Sequence, residues 1–116
     1  MDRITIQWTE IAKGALAKLP PKVRRGLLEK ASELRAVQDP ALAGKPLQGP
    51  LAGYFRICYS RYRAIYTVER LKLADKSFEL HINVLFVAAG VRKEGDKNDV
   101  YRLAQRLVKL GIIQPK

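Results

Sequence analysis

Three arginines in this chain of 116 residues have the chemistry to hold a phosphate: Arg56, Arg63 and Arg92. A guanidinium donates two parallel hydrogen bonds to a phosphate and stays charged at any working pH. If all three converge on one face of a sheet, they form a phosphoryl or RNA-backbone site. The alternative is that these are scattered surface arginines, which are common in a chain whose formal net charge is +11. Such an excess of positive charge is itself typical of proteins with polyanionic partners.

Residues 53–69, GYFRICYSRYRAIYTVE, position the first two of these arginines. Apolar and polar residues alternate on both sides of Ser60-Arg61, which is typical of a β-hairpin. A two-residue turn there predicts an apolar face built from the pairs Phe55–Tyr66, Ile57–Ala64 and Tyr59–Tyr62. The opposite face then carries Ile65 together with Arg56, Cys58 and Arg63. We call these last three residues the basic face, and Arg63 lies directly across from Cys58. The turn lacks Asn-Gly and Gly-Gly, so a longer loop is an alternative.

The remaining elements follow from periodicity, capping residues and breakers. A strand is predicted at Arg3–Trp8, with Trp8 in the core. Thr9 caps a first helix that ends at Pro20-Pro21, and a second runs from about Lys22 to Val37. A loop without regular structure (Asp39–Gly53), a polar turn (Arg70–Ser77), an inner strand (Phe78–Ala89) and a helix capped by Asn98 or Asp99 and stopped by Gly111 complete the chain.

The order β-α-α-β-β-β-α predicts one α+β domain over residues 1–116. In it a helical hairpin and a C-terminal helix pack on a small, mostly antiparallel sheet. A single cysteine and a single histidine exclude an internal disulfide and favour no metal site and no cofactor. No apolar run is long enough for a membrane span, and the start is unlike a signal peptide, so we expect a cytoplasmic protein.

Three other side chains carry groups that could take part in binding or catalysis. Helical spacing places Tyr101 beside Val100 and Ala104, at the edge of the core, although a tyrosine there could also stack a base. His81 lies in the middle of a strand, where a lone histidine is more often structural than catalytic. Cys58 lies between two arginines and is either a reactive thiol or an inert, partly buried one.

The chain resembles the RelE/ParE superfamily of bacterial toxin–antitoxin toxins over nearly its whole length. The resemblance rests on the helical hairpin followed by GKPLQGPLAGYFRI, SRYRAIYTVE and FVAAGVRKEGDKNDVYRLAQRL. Its most specific parts are YRAIY at Tyr62–Tyr66 and the GVR…VY segment at Gly90–Tyr101.

The resemblance implies a ribosome-dependent mRNA endoribonuclease, which is the activity of the RelE-like branch. In that metal-independent reaction the ribose 2′-OH attacks the adjacent phosphate and leaves a 2′,3′-cyclic phosphate and a 5′-OH. By position in the motifs, the catalytic residues implied are Arg56, Arg63, Arg92 and Tyr101. The RNA-binding residues implied are Arg61, Lys93, Lys97 and Cys58.

This sequence departs from the family pattern at two places. A lysine often found on the strand of Arg56 is here Cys58, and the charged insert Lys93–Asp99 lengthens the path from Arg92 to Tyr101. Arginine cannot act as a base in this range, so a general base would be Glu94, Lys93, His81 or Cys58. We favour Glu94 as the fifth catalytic residue, because it lies beside Arg92 in a charged loop.

Two alternatives to the nuclease remain open from the sequence. One is a ParE-like toxin that inhibits DNA gyrase by binding and cleaves nothing. The other is a small nucleic-acid-binding module without toxicity, whose aromatic-rich hairpin stacks bases. Either toxin implies an acidic antitoxin that folds on binding in a toxin–antitoxin hetero-oligomer and that covers the basic face or displaces the last helix. The nuclease also implies the ribosome and mRNA as partners.

Overall fold

The computed structural model describes residues 3–37, 39–72 and 80–113, with the backbone alone at positions 3, 71–72 and 80–81. Within these ranges the strands and helices occur in a mixed α+β order, which confirms the predicted fold class. The elements are β1 (Arg3–Trp8), α1 (Glu10–Ala17), α2 (Pro21–Glu33), α3 (Pro40–Ala43), β2 (Lys45–Pro46), a 3-10 turn (Gly49–Leu51), β3 (Phe55–Tyr59), β4 (Tyr62–Lys72), β5 (Leu80–Val91) and α4 (Val100–Lys109).

The described strands form one sheet in the order β1-β5-β4-β3-β2. β1 pairs with β5 in parallel, while the other three pairings are antiparallel, so the expected mostly antiparallel sheet is confirmed. β5 lies between β1 and β4, as expected of the most apolar strand. It extends to Val91 rather than ending at Ala89, and Phe78, its predicted first residue, lies outside the described residues.

The β3–β4 hairpin has the predicted register. Phe55 pairs with Tyr66, Cys58 with Arg63, and Tyr59 with Tyr62, so the two-residue turn at Ser60-Arg61 is confirmed. Ser60 supplies the positive φ, 55°, that such a turn needs, in place of the usual asparagine or glycine.

The helix boundaries follow from their capping residues. The Thr9 side chain accepts a hydrogen bond from the Ala12 N–H at 3.1 Å, and Pro21 is the first residue of α2. Asp99, rather than Asn98, caps α4 by accepting from the N–H groups of Tyr101 and Arg102. These contacts satisfy N–H groups that have no partner inside the helix. No helix of the described residues is long and apolar enough to cross a membrane.

The sheet carries a different hydrophobic cluster on each face. On the first face, α1 and α2 cover the apolar side of the hairpin, with Leu27, Tyr66 and Phe86 fully buried. Trp8 is partly buried there and stacks on Phe86 with ring centroids 4.2 Å apart. On the second face, α4 and the 3-10 turn cover a smaller cluster: Leu51, Tyr54, Ile65, Val87, Ala88, Val100, Ala104 and Ile113.

The prediction of an irregular loop at Asp39–Gly53 was wrong. This segment contains α3, β2 and the 3-10 turn, which side chains far away in sequence hold in place. The Tyr66 hydroxyl donates to the Pro40 carbonyl at 2.7 Å, and Arg70 forms an ion pair with Asp39 at 2.6 Å. Pro and Gly spacing alone could not show these tertiary contacts.

The polar turn predicted at Arg70–Ser77 was placed too early, because β4 continues through Lys72 to pair with β5. Residues 73–77 lie outside the described residues. The β4–β5 ladder also has an irregularity next to Ile65, which pairs with Ala88 while Tyr66 pairs with Phe86. The extra residue, Val87, faces the α4 side together with Ala88, so the ladder changes phase just before the strand ends that carry the arginines.

Candidate functional site

The basic face lies on the α4 side of the hairpin. Arg56 and Cys58 are two residues apart on β3, and Arg63 on β4 pairs with Cys58. Side chains two residues apart on a strand, and those directly opposite across a ladder, share a face. The register therefore brings together the two predicted arginines and the cysteine that replaces the family lysine.

Arg63 is the more buried of the two arginines, with 7% of its surface exposed. Its Nη1 donates to the Ser60 carbonyl at 2.8 Å and to the Tyr62 carbonyl at 2.9 Å, so the guanidinium braces the hairpin turn. Its Nε is buried and has no hydrogen-bond partner among the described residues. A buried, unpaired N–H of a charged group is costly unless a ligand or water completes it.

Arg56 connects the sheet to α4. Its Nη1 donates to the Tyr101 hydroxyl oxygen at 2.6 Å, and this hydrogen bond raises the pKa of Arg56 above its ordinary value. Like Arg63, Arg56 has a buried Nε without a partner in the described part of the chain. Two guanidinium groups on one face of the hairpin therefore each retain an N–H donor that no described residue satisfies.

Tyr101 reaches this site despite the longer spacing from Arg92. The backbone of the insert folds back, since the Lys93 N–H donates to Asp99 Oδ1 at 2.5 Å while Asp99 also caps α4. The cap fixes the first turn of the helix and directs the partly buried Tyr101 toward β3. Helical spacing had placed this residue at the core edge, where it does lie, but spacing could not show its contact with Arg56.

Arg92 lies at the end of β5, beside the hairpin turn. Its N–H donates to the Arg61 carbonyl at 2.7 Å, and its guanidinium forms an ion pair with Glu94 at 3.3 Å. Both side chains are largely exposed, at 46% and 83%. The structure thus places Arg92 at the predicted strand end and joins it to the acid that we had favoured as a base.

The other residues predicted for RNA binding differ in their exposure. Arg61, Lys93 and Lys97 are exposed, while Cys58 is half-buried. Lys93 forms an ion pair with Asp96 at 3.3 Å. The pKa of Asp96 is lowered, first because its carboxylate accepts the Asn98 N–H and then because of Lys93. The side chain of His81, another candidate base, lies outside the described residues.

Sequence reasoning missed Asp99 and Ser60 as parts of this site. Asp99 was predicted as one of two possible caps, but it also accepts from Lys93 and so fixes the connection between β5 and α4. Ser60 supplies both the positive φ of the turn and a carbonyl for Arg63. An Asp before an apolar helix was a usable signal for the first, whereas nothing in the sequence marks the second.

A known toxin is similar in sequence to this chain. Toxin RelG of Mycobacterium tuberculosis (strain ATCC 25618 / H37Rv) is 35% identical over 66 residues, which are 56% of this chain and 74% of RelG. The chain belongs to the RelE-like toxins of type II toxin–antitoxin systems. No protein-family model matches it.

Solved structures share the fold of this RelE-like toxin. The toxin–antitoxin complex RelBE2 from Mycobacterium tuberculosis contains a chain that is 31% identical, with a TM-score of 0.50 over 72% of this chain and 91% of that one. The intact E. coli RelBE complex matches at 21% identity and a TM-score of 0.52, over 77% of this chain and 96% of that one. The isolated E. coli RelE toxin matches at 20% and 0.50, over 93% and 97%.

Proposed function

We propose that this RelE-like toxin is a ribosome-dependent endoribonuclease that cuts mRNA and arrests translation. The observation that carries the proposal is the junction of β3 and α4, where Arg56 donates to Tyr101 at 2.6 Å. Arg56 and Arg63 share this face, and each retains a buried Nε without a partner among the described residues. A phosphate is the ligand whose negative charge would complement both guanidinium groups of this face.

The proposed reaction is transfer of the phosphorus from the 5′ oxygen to the 2′ oxygen of the preceding ribose. The 2′ oxygen forms a bond to phosphorus and loses its proton, while the bond from phosphorus to the 5′ oxygen breaks and that oxygen gains a proton. The products are a 2′,3′-cyclic phosphate and a 5′-OH. Negative charge grows on the phosphoryl oxygens in the transition state, where fixed guanidinium donors stabilise it.

The side chains divide this chemistry between them in our proposal. Arg56 and Arg63 bind the phosphoryl oxygens. Tyr101 accepts from Arg56 through its oxygen, so its own O–H is left to donate to the departing 5′ oxygen. Arg92 holds Glu94 at the end of β5, where Glu94 serves as the base for the 2′-OH.

The partners that we propose follow from the same comparisons and charge. The RelBE2 and RelBE structures are toxin–antitoxin complexes, so we propose an antitoxin for this chain as well. A net charge of +11 favours an acidic antitoxin segment that folds on the toxin and forms a hetero-oligomer with it. Action on ribosome-bound mRNA implies a cytoplasmic location.

The test is primer extension on a message incubated with translating ribosomes. We expect the wild-type protein to cut in phase with codons. Tyr101→Phe should cut about 100-fold more slowly, because removal of a general acid typically lowers a rate by 10²–10⁴. Tyr59→Phe is the matched control, since Tyr59 lies on the opposite face of β3 against Gly26, and it should cut at the wild-type rate.

Two results would contradict the proposal. Equal rates for Tyr101→Phe and wild type would remove Tyr101 from the chemistry. An intact message, together with growth arrest on expression, would reject the nuclease and direct attention to gyrase, which a supercoiling assay would then examine.

A further inference from the structure

A separate concavity opens at the end of the sheet beyond the hairpin turn. It has a volume of about 310 Å³ and is lined by Lys18, Leu19, Pro20, Arg61, Tyr62, Val91 and Lys93. Three elements meet there: the connection between α1 and α2, the β3–β4 turn, and the end of β5. Tyr62 and Val91 are paired across the β4–β5 ladder, so they form one continuous apolar floor.

The chemistry of this concavity combines a flat ring with positive charge. Tyr62, Leu19 and Val91 are half-buried, while the Lys18, Arg61 and Lys93 side chains are exposed around them, and no acidic side chain lines it. Lys93 is in an ion pair with Asp96, whereas Lys18 and Arg61 have no ion-pair partner in the described ranges.

Two other concavities formed by the described residues lack this combination. The one on the outer surface of α4 is lined by Arg102, Arg106 and Lys109 but has no aromatic ring. The one on α2 contains Glu29 beside its arginines and also has no ring. Cations around a tyrosine are the features that bind single-stranded nucleic acid, because bases stack on the ring and phosphates lie against the charges.

The concavity and the proposed cleavage site lie on opposite faces of the sheet but meet at the hairpin turn and the end of β5. Arg61 follows Ser60, whose carbonyl accepts from Arg63, and Lys93 follows Arg92. The Arg92 N–H donates to the Arg61 carbonyl at 2.7 Å, which joins the two walls. An RNA strand with its scissile phosphate on the basic face would therefore cross the hairpin turn, and its next nucleotide would lie at the concavity.

We propose that this concavity is a nucleotide subsite, in which Tyr62 stacks an unpaired base of the RNA that flanks the cut and Lys18 and Arg61 bind its phosphate. The inference rests on the proposed nuclease function and extends it, because it assigns a substrate contact on the helical-hairpin side of the sheet. It would also give the toxin a contact with the RNA strand outside the few residues that touch the cleaved bond.

The first experiment measures binding without cleavage. Fluorescence anisotropy with a labelled single-stranded RNA of nine nucleotides, 2′-O-methylated throughout so that it cannot be cut, compares wild type with K18E/R61E. Loss of two phosphate contacts and a reversal of charge should weaken binding at least tenfold. The matched control is R25E/R35E, which makes the same change in charge on exposed positions that do not line the concavity, and it should weaken binding less than threefold.

A second variant examines the ring. Tyr62→Leu keeps an apolar side chain in the floor but removes stacking, which is expected to weaken binding about tenfold, while Tyr62→Phe should bind as wild type does. Thermal unfolding of each variant identifies any that does not fold. The charge variants at exposed positions keep the inference open to contradiction if Tyr62→Leu fails to fold.

The outcomes separate this inference from the nuclease itself. Equal losses in K18E/R61E and R25E/R35E would mean that only overall charge matters and would overturn the subsite. The same is true if K18E/R61E loses antitoxin binding but retains RNA binding. Codon-phased cutting at the wild-type rate by K18E/R61E would also overturn it while the nuclease stands, whereas no cutting by the wild type would overturn the nuclease.

Discussion

The two faces of the β3–β4 hairpin differ in how completely their side chains are satisfied. On the side of α1 and α2, Phe86 stacks with Trp8 and packs against Tyr66, whose hydroxyl has a carbonyl partner. On the side of α4, Arg56 and Arg63 each retain a buried Nε without a partner in the described residues. The same alternation of side chains along the two strands produces both faces. The difference between the faces therefore lies in their residue types and not in how exposed the backbone is.

This difference separates the face that contributes stability from the face that carries the arginines of the proposed site. Buried aromatic area stabilises a fold without any partner. A buried guanidinium with an unmet donor destabilises it. The hairpin therefore has one side that holds the domain together and another whose unmet donors lower its stability.

The largest expected effect contrasts one residue from each face. Phe86→Ala should lower the free energy of unfolding by about 3–5 kcal/mol, because it opens a cavity in the first core. Arg56→Met should change it by less than about 1 kcal/mol, since it removes one hydrogen bond but also a buried unpaired donor. Cleavage by Arg56→Met should fall about 100-fold. Denaturant unfolding and primer extension measure both, and equal destabilisation by the two variants would refute the contrast.

The next effect uses alkaline pH to isolate one hydroxyl of the stabilising face. Burial raises the pKa of Tyr66 from 10.0 to about 12. Tyr66 therefore ionises at a lower pH in the unfolded chain than in the folded one. The stability that this difference contributes is fully present below pH 10 and is lost as the pH rises through about 12. The expected loss is up to about 3 kcal/mol, at 1.36 kcal/mol for each pKa unit.

Tyr66→Phe should remove most of that alkaline loss and lower stability at neutral pH by about 1 kcal/mol, the net value of one hydrogen bond. Urea unfolding at pH 9 and pH 11.5 measures both changes. A smaller loss should remain, because burial also raises the pKa of Tyr54. An alkaline profile unchanged in Tyr66→Phe would show that the hydroxyl is not held as described.

The smallest effect compares two glycines within helices. A Cβ on Gly26 would lie 2.2 Å from Cδ1 of Tyr59, whereas a Cβ on Gly14 would meet nothing within 4 Å. Gly26→Ala should therefore destabilise by about 1–2 kcal/mol through overpacking. Gly14→Ala, the control, should stabilise by about 0.5–1 kcal/mol through helix propensity. Thermal melts of the two variants should shift in opposite directions, and a shift in the same direction would place Tyr59 elsewhere.

The sequence was sufficient for those parts of the fold that depend on local patterns. Alternation determined the hairpin register down to the Cys58–Arg63 pair, and capping chemistry identified Thr9 and limited the cap of α4 to Asn98 or Asp99. The regular elements within residues 39–53 were missed because they depend on Tyr66 and Arg70, which come later in the chain. A local pattern carries no information about partners that only tertiary folding brings near.

The same limit applies to the candidate site. The resemblance to a toxin family named Arg56 and Tyr101, but they are 45 residues apart and their contact depends on how the insert Lys93–Asp99 folds. The phase change at Val87 was equally invisible, since nothing in an apolar run distinguishes an extra residue from a regular one. Residue types were thus predictable, whereas distances were not.

The contact between Arg56 and Tyr101 has a consequence for the synthesis of the chain. A chain leaves the ribosome N-terminus first and its domains generally fold as units, and this contact joins β3 to a helix that begins only at Val100. β1 likewise waits for residues 81–86 before it can enter the sheet. A growing chain therefore remains unable to assemble its arginine–tyrosine pair until α4 has emerged, so a prematurely terminated product that lacks α4 would also lack the proposed site.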